Sequence, residues 1–178
     1  TSQGRVHQLA AVNAASAGLA LLTILLYTLV YTPLKTRTAL NTFVGAVVGA
    51  VPPLIGWVGA SGNVSGGGWV LAGLLFVWQI PHFLSLAWLY REDYARGGFR
   101  MLPAHDPDGV LTAKIIIVSS MLLVPTALAA SLLGLGGWTY TLGSIMLGCS
   151  MTWAGLKLLL APTRTSARRV FLASLLYL

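Results

Sequence analysis

The sequence predicts an all-α protein, a polytopic transmembrane bundle of five full spans plus a truncated sixth. Two observations carry this. The 178 residues are 56% hydrophobic and only 8% charged, with a mean hydropathy of +0.80, whereas a soluble domain is about a quarter charged. Five stretches also reach the length of about 20 mostly apolar residues that a helix needs to cross a bilayer. They lie at about residues 9–31, 41–60, 69–90, 111–133 and 138–160, and a sixth apolar run, 170–178, stops too soon. Nine helical residues rise only about 14 Å. The chain begins at Thr1 without a signal or transit pattern, so the expectation is one integral-membrane domain over 1–178, incomplete at both ends.

Charge orients these spans. The formal net charge is +7, which in a soluble protein would suggest nucleic acid. Here Lys35, Arg37, Arg91, Arg96, Arg100, Lys114, Lys157, Arg164, Arg168 and Arg169 fall on one side, and Arg5 alone on the other. That bias marks the cytoplasmic or matrix face, so the charge calls for no nucleic-acid partner. Cys149, the single cysteine, sits in an apolar span and excludes a disulfide or a cysteine metal site.

In chain order, residues 1–8 are a polar lead-in, and 9–31 is a plain span closing on the interfacial aromatics Tyr27 and Tyr31. The loop to Asn41 exposes Lys35 and Arg37, either as a topological anchor or as cations for an anionic substrate. In 41–60, Gly45 and Gly49 with Ala46 and Ala50 form a small-residue face that admits a neighbouring helix. Pro52 and Pro53 are expected to break this helix inside the membrane, which requires burial or a cavity there. Residues 61–68 form an uncharged outer loop. Pro81 should kink the third span. At 100° per residue, Gln79, His82, Leu86, Tyr90 and Asp93 form one stripe if the helix persists that far. Asp106 and Asp108 read as structural, with Asp108 as the expected cap of the next helix. Residues 111–133 and 138–160 bring no chemistry of their own, and Pro125 should kink the first of them.

Chemistry concentrates in residues 78–103, WQIPHFLSLAWLYREDYARGGFRMLP. The four carboxylates of the chain, Glu92, Asp93, Asp106 and Asp108, all lie between 92 and 108. Glu92 and Asp93 beside Arg91 and Arg96 fit a solvated ion-pair cluster. They equally fit a Mg²⁺–diphosphate, in which carboxylate and phosphate oxygens hold the ion and arginine neutralises the remaining charge. Gly97 and Gly98 allow close backbone approach to such a ligand. His82, well inside a span, is either neutral and hydrogen-bonded or functional. An ion-coupled transporter is the rival reading, since His82 and the Pro52–Pro53 pair suit a discontinuous helix at midplane. No Asp, Glu, Lys or Arg near a span centre supports it.

The stretches LVYTPLKTRTALNTFVGAVVGAVPPLIGW (29–57) and WQIPHFLSLAWLYREDYARGGFRMLP, with ARRVFLASLLYL (167–178), resemble the protohaem IX farnesyltransferases, or haem O synthases, among the intramembrane prenyltransferases. The resemblance runs from about residue 11 to the end. It implies an all-helical bundle of nine spans around a cavity open to the membrane, of which this chain supplies spans four to eight and the start of the ninth. It implies transfer of the farnesyl group of farnesyl diphosphate to a vinyl group of haem B, giving haem O for the haem-copper terminal oxidases. A prenyl transfer to another aromatic acceptor is the alternative. Two acidic motifs would hold Mg²⁺ and diphosphate; REDYARGG matches the second, its spaced aspartates reduced to Glu92 and Asp93. The first would precede Thr1, so this chain alone is expected to be inactive.

The chemistry of the residues, taken with the resemblance, suggests roles. Asp93 and Glu92 hold the metal through the diphosphate. Arg91, Arg96, Lys35 and Arg37 stabilise that anion, and Asn41 is a further substrate-binding residue. Gln79, Trp78 and Tyr90 line the substrate site. Trp78, Phe83 or Tyr90 can stabilise an allylic cation, and His82 faces haem, as iron ligand or proton shuttle. The implied setting is a bacterial inner membrane, or the mitochondrial inner membrane in a eukaryote. Haem A synthase or oxidase assembly proteins are the candidate protein partners.

Overall fold

The computed structural model describes residues 2–178, with side chains from Ala14 onward. The polar lead-in, Arg5 and the start of the first expected span fall outside the described side chains. Helix α1 (Ser2–Leu25) runs into a π-helix (Leu26–Tyr31) and a short turn, α2 (Thr32–Leu34). Then come α3 (Asn41–Ser61), α4 (Gly66–Leu89), the short α5 (Arg91–Arg96), a 3₁₀ turn (Leu102–Ala104), α6 (Val110–Leu132), α7 (Trp138–Leu160) and α8 (Arg164–Tyr177). Five segments are long and apolar enough to cross a membrane: Ala14–Leu34, Asn41–Ser61, Gly66–Leu89, Val110–Leu132 and Trp138–Leu160. This is a multi-pass membrane protein.

Helix α4 is the hub. It packs against α3, α6 and α8, and α7 bridges α6 and α8. The central core joins Ile80, Leu84 and Trp88 of α4 to Ile116 of α6, Leu158 of α7 and Val170 of α8. Small residues permit these approaches. A Cβ on Gly49 would collide with the Gln79 side chain, and one on Gly45 would come within 2.8 Å of the Tyr31 ring. At one end of the bundle, Arg100 N–H donates to Lys35 O at 2.8 Å, while Pro162 and Arg164 share a cleft with Arg91. The three basic loops therefore meet, as the charge bias requires.

Several expectations are corrected. Helix α3 continues through Pro52 and Pro53 without interruption: each proline removes only its own N–H donor, and the flanking turns keep theirs. By contrast, Pro81 in α4 and Pro125 in α6 lie inside helices that continue past them, as a kink rather than a break allows. The first span is not plain, because its last turns are π-helical. Thr32 Oγ1 donates back to Tyr27 O at 2.8 Å, and Lys35 Nζ sits 4.4 Å from the Tyr31 ring centre. The N-cap position of α6 is Gly109, and the carboxylate that accepts from its first turn is that of Asp106, from Thr112 N–H at 2.7 Å, not Asp108. The sixth run begins earlier than residue 170: Thr163 caps α8 by accepting from Ser166 N–H at 3.2 Å.

Candidate active site at the basic end of the bundle

Helix α4 stops at Tyr90, whose φ of −116° and ψ of 26° leave the helical region. The chain restarts at once as α5, so Asp93 does not lie on the α4 axis and the expected continuous stripe is cut. Leu86, Tyr90 and Asp93 still line one hollow of about 400 Å³ with Tyr94 and Phe99. The stop of α5 is built by Gly98, at φ +73°. Gly98 N–H donates to Ala95 O at 3.1 Å and Phe99 N–H to Tyr94 O at 2.9 Å. That is the Schellman pattern, with its hydrophobic contact supplied by the Tyr94 and Phe99 rings, 6.0 Å apart. Gly98 thus ends a helix; a close approach to ligand is not needed to explain it.

The acidic pair faces a cleft of about 310 Å³ with Arg91 and Arg96 on its own side and Pro162 and Arg164 opposite. Asp93 and Arg96 form an exposed ion pair, and the Arg91 guanidinium lies 5.1 Å from the Trp88 ring centre. No cluster of three or more His, Cys, Asp or Glu exists among the described residues. Two exposed carboxylates on one short helix fit a hard cation whose other ligands are phosphate oxygens. Sequence reasoning gave Arg164 only a topological role. Its place across the cleft arises from the α7–α8 turn, which no local signal at Arg164 reveals.

Other predicted residues sit elsewhere. Asn41 is wholly buried, its amide donating to Thr38 O at 2.7 Å and Arg100 O at 2.8 Å. Gln79 is buried against Gly49. Lys35 lies over the Tyr27 and Tyr31 rings, and Arg37 is exposed on the same loop. Trp78 is buried, its Nε1–H donating to Ser174 O at 2.7 Å. His82 is half-buried between stacked rings, Trp78 at 4.8 Å and Phe171 at 5.0 Å, with Phe83 edge-on at 5.6 Å. Its Nδ1 is 2.9 Å from Ser174 Oγ.

A model of the UbiA prenyltransferase family matches residues 6–177. The chain belongs to that family. Members of the UbiA prenyltransferase family generally use a divalent metal ion, which agrees with the paired carboxylates beside an arginine-lined cleft. Among curated relatives, the chain is 44% identical over 167 residues to a protoheme IX farnesyltransferase of Solibacter usitatus, covering 94% of this chain and 57% of the relative. It is 47% identical over 128 residues to one from Salinibacter ruber, covering 72% and 45%. To the mitochondrial protoheme IX farnesyltransferase of Homo sapiens it is 38% identical over 167 residues, covering 94% and 37%. The chain spans about half the length of the curated relatives it matches. No solved structure matches it.

Proposed function

We propose that the protein transfers the farnesyl group of farnesyl diphosphate to a vinyl group of haem B, making haem O. The observation that carries this reading is the cleft at the basic end, where Glu92 and Asp93 face Arg91, Arg96 and Arg164 at the mouth of an apolar bundle. Such a site takes an anion whose remaining body is greasy. Glu92 and Asp93 would hold Mg²⁺ through the diphosphate, and the ion supplies charge stabilisation for the leaving group. Arg91, Arg96 and Arg164, with Lys35 and Arg37 on the neighbouring loop, contribute the same stabilisation as the anion develops.

The bond from C1 of the farnesyl group to the diphosphate oxygen breaks, and the oxygen keeps the electron pair. The vinyl π electrons of haem B then form the new C–C bond to that electron-poor carbon. Water adds to the cation left beside the porphyrin and loses one proton, giving the hydroxyethylfarnesyl side chain. The Tyr90 ring, which borders the cleft, can face the cationic carbon. The relatives' names support haem as acceptor, and the membrane would be a bacterial or mitochondrial inner one.

The test uses the full-length protein in a host lacking haem O, with mass analysis of extracted porphyrins. The farnesylated product should appear, and Asp93→Asn should lower turnover about a hundredfold or more, the scale of removing one charge-stabilising group. The fold should survive, because exposed ion pairs like Asp93–Arg96 are worth about 0–1 kcal/mol. Full turnover in Asp93→Asn would reduce the cluster to a surface ion pair. Solute flux across vesicles without diphosphate release would instead favour a transporter.

A further inference from the structure

The His82 imidazole is fixed on three sides. Trp78 and Phe171 stack on its faces. Ser174, fully buried, meets its Nδ1 at 2.9 Å. The Ser174 hydroxyl donates to Phe171 O at 2.6 Å, so its hydrogen is committed and its oxygen is left to accept. The His82 ring is therefore protonated on Nδ1, and its lone pair lies on Nε2. Nε2 has no hydrogen-bond partner among the described residues, and it is not among the buried polar atoms left unpaired.

One N–H anchored through a hydroxyl to a backbone carbonyl, with the other nitrogen free and accessible, is how proteins orient an imidazole toward a metal. The ring lies seven residues before the end of α4, about 10 Å inside it, where the carboxylates at the mouth cannot reach. The bundle thus separates a hard-oxygen site at its end from a lone nitrogen donor within. Nitrogen suits iron as carboxylate suits magnesium.

We infer that His82 binds the iron of the haem acceptor through Nε2, with Ser174 as the positioning residue that sets the tautomer and the ring plane. This rests on the haem-farnesylation reading. The ligand orients the porphyrin before transfer; it takes no part in bond making.

The full-length protein is titrated with ferric haem B, and separately with metal-free protoporphyrin IX, while the Soret band is followed. His82→Gln should shift the haem B band and weaken haem B binding at least tenfold. It should leave protoporphyrin and farnesyl diphosphate binding unchanged. Ser174→Ala should weaken haem B about 10- to 100-fold, the scale of losing an outer hydrogen bond to a metal-ligating histidine, again sparing protoporphyrin. In His82→Gly, added imidazole should restore the wild-type band. An unshifted band in His82→Gln, or equal loss of haem B and protoporphyrin in either variant, overturns the assignment. Wild-type protein that binds neither porphyrin sinks the haem reading itself, a result distinct from wild-type binding that ignores His82.

Discussion

The buried amide of Asn41 holds the Arg100 carbonyl at 2.8 Å, joining two loops 59 residues apart in the chain. The same contact region includes Arg100 N–H on Lys35 O. The loop carrying Lys35 and Arg37 is thereby tied to the end of the segment that carries Glu92 and Asp93. Asn41 begins α3, so a helix terminus anchors both loops at once.

Asn41→Ala should therefore act on stability first. It leaves the Arg100 carbonyl without its donor and Thr38 O with only the longer Asn41 backbone N–H at 3.4 Å, at a cost of about 1–3 kcal/mol for a buried polar group. The measurement is thermal unfolding of the full-length protein in detergent, beside farnesyl diphosphate binding. A lower melting temperature is expected. Weakened diphosphate binding with an unchanged melting curve would return Asn41 to the role of a direct substrate contact.

Gly98→Ala tests the stop of α5. At φ +73° a side chain meets its own backbone, at roughly 1–2 kcal/mol, while nothing else lies within 4 Å to obstruct the added methyl. The strain would be relieved by unwinding α5, which displaces Asp93. Proteolysis within residues 91–100 should accelerate and diphosphate affinity should fall. Wild-type behaviour in both assays would show that the Schellman turn does not hold the cleft.

Topology gives a third expectation. After Cys149, which is exposed, is changed to serine, single cysteines replacing Thr36 and Ala95 should label from one side of sealed vesicles. A cysteine replacing Gly66 should label from the other. Labelling of all three from the same side is incompatible with the alternation of helices that brings Lys35, Arg91 and Arg164 together.

Much was legible before any tertiary structure. Apolar runs of membrane length, a one-sided distribution of Lys and Arg, and the confinement of all four carboxylates to 92–108 specify a multi-pass helical protein whose charged groups gather at one end. These are properties of composition and short-range spacing. Hydrocarbon forces every backbone polar group into internal hydrogen bonds, so an apolar run of that length has almost no choice but helix. The error over Pro52 and Pro53 has the same root: local reading counts the lost donors, but not the turns on either side that keep the helix continuous.

Which residues face one another was decided only by packing. Gln79, His82 and Asn41 are alike in sequence, each a polar group in or beside a span. The structure buries Gln79 against Gly49, makes Asn41 a clip between loops, and sets His82 between two rings on Ser174. Arg164 and Ser174 carry no local mark of function, since the charged groups across the cleft and His82 lie at least 68 residues away in the chain. The sequence by itself determined the membrane-length helices and where charge gathers, because those follow from what each segment can do alone in a bilayer. Only the tertiary structure decided the walls of the cleft and the free nitrogen of His82, because both exist only where α4 and α8 meet.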